Sequence, residues 1–179
     1  MKQLTILLLF ISITSFGQKY ITKTGQTDFE ASVKAFEPVE ATNNSTTAII
    51  NIETGEVAAL LFIAAFDFKV ALMQEHFNEN YMSSDKYPKA TFKGKITNFD
   101  VNEVSDIPKD FDLKGTLTIK GIPKEIQAIA TLSFKKDSLI VKTAFDVAPS
   151  NFDIKIPSIV EEKISENIHI SINYALKKK

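Results

Sequence analysis

From Ile168 to Leu176 every second residue is apolar: Ile168, Ile170, Ile172, Tyr174 and Leu176, separated by residues such as His169, Ser171 and Asn173. Successive side chains of a strand point to opposite faces, so this spacing predicts a strand with one buried face. The period recurs along the chain. Phe29, Ala31, Val33 and Ala35 alternate in a stretch from Tyr20 to Phe36 that breaks near Gly25. Ile126, Ala128, Ala130, Leu132 and Phe134 alternate, and after a tight turn at Asp137 and Ser138 so do Leu139, Val141, Thr143 and Phe145. Asn43 to Ser45 reads as a turn leading into a strand from Ala48 to Ile52, and Leu113 to Ile119 (LKGTLTI) is a further strand that turns at Gly121 to Pro123. Such a pattern, with about eight or nine strands and mostly short connections, predicts an all-β antiparallel barrel or sandwich.

The period changes in the middle. Val57 to Phe66 is nearly all apolar, which predicts a strand covered on both faces. Phe66 and Phe68 still alternate with Asp67 and Lys69. Val70, Met73, Phe77 and Tyr81 then follow at steps of three and four, the stripe of an amphipathic helix over about residues 70–81. Gln74, Glu75, Asn78 and Glu79 fall on the other side, and this helix is the nearest cover for the apolar strand. Tyr87 is pushed toward extended geometry by Pro88, and a strand resumes at Ala90 and Phe92 with a bulge expected at Gly94. Farther on, Phe152 and Ile154 read as a short extended piece. Ser158 with Glu161 has the spacing of a capping box for a short helix over about residues 158–164.

Lys2, the apolar run Leu4 to Ile13 and the small residues Ser15 and Gly17 predict a signal peptide over residues 1–17, with a single domain over residues 18–179 and a periplasmic or secreted location. The apolar run is too short to span a bilayer. No cysteine occurs, which excludes disulfides and a lipid-modified terminus. Every basic residue is lysine, and the 21 of them are balanced by 22 acidic residues. That balance argues against nucleic acid as a partner. Without guanidinium there is no bidentate fork, so any anionic headgroup would rely on lysine ammonium groups or backbone amides.

The sequence offers little for catalysis. His76 and Glu79 form an i, i+3 pair expected on the polar side of the helix, and His169 lies on the last strand. Two histidines and no cysteine do not make a metal site without recruited carboxylates, so no metal is expected. No nucleophile motif and no phosphate-binding glycine loop is present, so neither enzymatic activity nor a cofactor is expected. Many of the 14 phenylalanines share strand faces with Ile and Val, which suits a filled core as well as an apolar pocket.

YP-x-ATF at Tyr87 to Phe92, L-x-G-x-LT-x-x-G-x-x-K at Leu113 to Lys124, and the later SNFDIKIP resemble the YceI family of exported lipid-binding proteins. The resemblance spans most of the mature chain. It implies a lipocalin-like antiparallel β-barrel of about eight strands that holds an apolar isoprenoid-like lipid, such as a polyprenyl phosphate or a quinone tail. Many members carry an arginine-containing RD-x-HLRS-like stretch where this chain has ALMQEHFNENY. The candidate pocket residues are Phe66, Phe68, Met73, Phe77, Tyr81, Tyr87 and Phe92, with Gly115 and Gly121 allowing bend and turn. The alternative is a closed-core barrel that serves as a secreted interaction or structural module.

Overall fold

The computed structural model describes residues 18–179, so the predicted leader lies outside the described residues. Nine strands follow in order: β1 (Lys19–Ser32), β2 (Glu40–Asn51), β3 (Glu56–Phe62), β4 (Asp67–Phe68), β5 (Lys89–Thr97), β6 (Lys109–Ile119), β7 (Ile122–Lys135), β8 (Ser138–Val147) and β9 (Ile164–Lys178). They pair in the order β1-β9-β8-β7-β6-β5-β3-β2, and β2 returns to β1. Every pairing is antiparallel, so eight strands close a barrel and β4 is a two-residue addition to β2. Closure leaves no sheet edge to protect, the usual advantage of this architecture. Among the described residues no helix is long and apolar enough to cross a membrane.

Several local features differ from the sequence reading. Residues 43–45 are not a turn but the middle of β2, where Asn43 is fully buried. Its amide donates to the carbonyl of Phe62 at 3.0 Å and its Oδ1 accepts from the backbone N–H and hydroxyl of Ser45, so a turn-forming residue is satisfied inside a strand. Gly94 carries no bulge: β5 stays in register with β3 and β6 throughout. It stands opposite Gly115, and the ring of Phe92 lies over both.

The middle helix is composite. α1 (Ala71–His76) passes directly into a π-helical turn, Phe77–Met82, which adds a residue to the repeat. Helix α2 (Ser158–Glu161) is shorter than predicted and β9 has begun by Ile164. Pro157 occupies its N-cap, so Ser158 is already helical and the capping box does not form. Phe152 belongs to a 3₁₀ turn, Pro149–Phe152, instead of an extended piece.

The barrel's two ends differ. At one end Ile52, Ile96, Phe111, Leu132, Leu139 and Leu176 are buried together and the 98–108 loop adds Val104 to the cluster. Ser105 accepts the backbone N–H of Phe134 at 2.6 Å, and Phe99 packs edge-on against Phe111 at 5.5 Å, which fixes that loop over the end of the tube. The opposite end carries most of the long connections: residues 33–39, residues 63–88 and residues 148–163.

Candidate functional site

A cavity of about 520 Å³ runs down the barrel interior from the end with the long connections. That volume is within the usual range for small-molecule sites. None of the residues plugging the far end lines it, so the interior is a vessel with a floor and one mouth.

The wall follows from strand alternation. On β9 the cavity meets Ile168, Ile170, Ile172 and Tyr174 of the face predicted to be buried, and Ile164 before them. Facing them are Ala59 and Leu61 of β3, Ala90 and Phe92 of β5, and Leu117 of β6. Phe92 fits inside because Gly94 and Gly115 have no side chains: a Cβ on either would lie within 2.7 Å of the ring.

The helical segment closes part of the mouth. Met73, His76, Phe77 and Tyr81 all line the cavity. Phe77 is held among Phe29, Phe66 and Phe68, stacked on Phe29 at 5.3 Å, tilted against Phe68 at 5.0 Å and edge-on to Phe66 at 5.7 Å. Each such pair contributes about 0.5–1.5 kcal/mol beyond the area it buries. A helix this short is not stable alone, so these rings hold it in place. The end of the π turn is tied by Lys120, whose ammonium donates to the carbonyl of Tyr81 at 3.1 Å.

The helix therefore lies over the mouth and not on the outer face of β3. That outer face leaves Phe62 48% exposed, with the Lys89 ammonium 5.3 Å from its ring centroid. His76, expected on the polar side, is also at the mouth, because it follows Met73 by three residues within α1 and so shares its face.

Of the seven candidate residues, Phe66, Phe68, Met73, Phe77, Tyr81 and Phe92 come together on the cavity wall. Tyr87 does not. It precedes β5, sits near Gly121 with Lys86 over its ring at 5.1 Å, and does not line the cavity. The sequence reading missed Phe29, Phe145, Phe152 and the β9 isoleucines, although their position on inward faces was the available signal.

Polar groups in the cavity are few. Glu37, His76 and Lys163 are solvent-exposed and stand at the mouth. Burial raises the pKa of Tyr81 and keeps its hydroxyl neutral. Deeper, Thr143 donates to the carbonyl of Ile129 at 2.7 Å. Thr27 lies 2.9 Å from Thr46 and 2.8 Å from Tyr174, hydroxyl to hydroxyl. Among the described residues no three His, Cys, Asp or Glu side chains are grouped as metal ligands.

The sequence model of the family described as YceI-like domain matches residues 19–176. A search of curated proteins returns no match. Among solved structures, a polyisoprenoid binding domain from Saccharophagus degradans implicated in plant cell wall breakdown is similar at 12% identity, with TM-score 0.77 over 90% of this chain and 98% of that one. BcnA of Burkholderia cenocepacia is 16% identical, with TM-score 0.70 over 84% of this chain and 95% of its own. The YCEI protein of Campylobacter jejuni is 18% identical, with TM-score 0.64 over 80% of this chain and 86% of its own. At these identities the likeness is one of fold.

Proposed function

The chain belongs to the YceI-like family, and from that premise we propose that it is an exported, non-catalytic carrier of a long isoprenoid-like lipid held in the barrel. One observation carries the reading: an apolar cavity of about 520 Å³ that opens at one end. A closed-core barrel used only as an interaction or structural module has no need of such a space. The description of the Saccharophagus degradans domain as polyisoprenoid binding supports the same ligand class.

Burial of hydrocarbon supplies the affinity. At about 0.8 kcal/mol per methylene, roughly fifteen buried carbons contribute about 12 kcal/mol before association costs. Those costs run to about 4–15 kcal/mol, so short chains bind weakly and long ones bind usefully. Binding should depend on chain length more than on headgroup, since only the exposed Glu37, His76 and Lys163 meet a group left at the mouth.

The test is mass spectrometry of an organic extract of the purified protein, followed by loading with added prenyl lipids. A co-purifying apolar molecule, or saturable uptake of a prenyl chain, supports the carrier. An empty protein that takes up no prenyl lipid sinks it. Export is tested by the mature mass, which should begin at Gln18.

A further inference from the structure

Thr27, Thr46 and Tyr174 are the polar exception in the lower cavity. They are 4%, 1% and 6% exposed, yet all three line the space. Thr27 and Tyr174 are the deepest residues of β1 and β9 to do so, since Gly25 and Leu176 beyond them are outside the lining, while on β2 the apolar Ala48 and Ile50 continue the wall below Thr46.

Their protons can be counted. Three hydroxyls carry three protons, and two hydrogen bonds connect them, Thr27 to Thr46 and Thr27 to Tyr174. Whichever way the hydroxyls rotate, two bonds take two protons and one is left over. Thr143, on the same wall, differs because its hydroxyl already donates to a backbone carbonyl. A buried donor without an acceptor is unfavourable, so the trio is suited to a guest that brings one.

The charge of that guest is also constrained. Glu37 and Lys163, the carboxylate and ammonium on the wall, are exposed at the mouth, as is His76. A phosphate or carboxylate pushed to the floor would have no counter-ion. Burial raises the pKa of Tyr174, with the neighbouring Thr27 and Thr46 hydroxyls opposing it, so the phenol remains neutral.

We propose that the Thr27–Thr46–Tyr174 hydroxyls form a polar anchor on the lower cavity wall, above the apolar Ala48 and Ile50 of β2, that donates to a neutral carbonyl or ether oxygen of the bound lipid. The lipid then sits with that oxygen deep in the barrel and its hydrocarbon toward the mouth. This rests on the carrier reading and adds an orientation and a headgroup class to it.

The test loads delipidated full-length protein with an equal mixture of a long-chain methyl ketone and the n-alkane of the same length, then quantifies both by gas chromatography of the extract. Wild type should enrich the ketone roughly three- to tenfold, the ratio expected of one net neutral hydrogen bond. Tyr174→Phe and Thr27→Val should each bring the ratio close to one, while Thr27→Ser keeps the enrichment. Circular dichroism reports that each variant is folded. Equal loading of the two probes by wild type, or enrichment that survives in the hydroxyl-free variants, overturns the anchor and leaves the carrier standing. Uptake of neither probe overturns both.

Discussion

The ring of Tyr174 lies across the backbone of Gly25: a Cβ built on that glycine would stand 2.5 Å from Cδ1 of the tyrosine. The pairing of β1 with both of its neighbours shifts register here, so a bulge and a missing side chain together make the ring's seat. From that seat the phenol reaches Thr27 at 2.8 Å.

Gly25→Ala is therefore expected to destabilise the barrel by about 1–3 kcal/mol through overpacking. The Gly25 backbone is not in the left-handed region, so the cost comes from the ring and not from backbone strain. Urea unfolding measures it, and an unchanged midpoint would show that the ring can move aside freely.

Phe77→Ala removes the aromatic contacts that hold the helical segment on the mouth. The cost should be roughly 2–4 kcal/mol, below that of a fully buried phenylalanine because Phe77 is half-buried. Amides of residues 71–82 should exchange faster with solvent deuterium while those of β6 and β7 keep their protection. Uniform loss of protection through the barrel would contradict the local role assigned to this ring.

Phe145→Asp places a carboxylate in the cavity wall, where hydrocarbon leaves it without hydration or a partner. Lipid uptake should fall to background, whereas Lys124→Gln, on the exposed outer surface, should leave uptake unchanged. Equal uptake by both variants would place the ligand somewhere other than the barrel interior.

Stability should decline in alkali. The folded-state pKa of Tyr174 is raised above the ordinary tyrosine value of 10.0, so the folded chain holds this proton more tightly than the unfolded chain does. The resulting stabilisation is complete below pH 10 and disappears as pH rises through the folded pKa. Tyr81 contributes in the same direction but more weakly, being only partly buried. Thermal unfolding across this range should show a smaller alkaline decline for Tyr174→Phe than for wild type; identical slopes would remove Tyr174 as the cause.

The barrel was legible because alternation survives wherever a strand has one face inside and one outside, as on β9. What escaped were places where tertiary contacts overrode local preference. Asn43 and Ser45 look like a turn, but a hydrogen-bonding environment inside β2 absorbs them. The stripe Met73, Phe77, Tyr81 identified a helix and its inward face, yet a period of 3.6 contains no sign of the π turn that follows His76. Tyr87 and Phe92 belong to one motif, which suggests one wall, but four residues and the start of β5 separate them, so strand alternation does not carry Tyr87 inward with Phe92. Thr27, Thr46 and Tyr174 come from three strands, and no local pattern announces that their hydroxyls meet.

The loop at residues 98–108 stops the bore at one end. A lipid held as proposed would exchange in a fixed sequence, with the last atoms to enter being the first to leave. Hydrocarbon longer than the bore would stay outside, as a free tail that a membrane or a receiving protein could take hold of before the rest has moved.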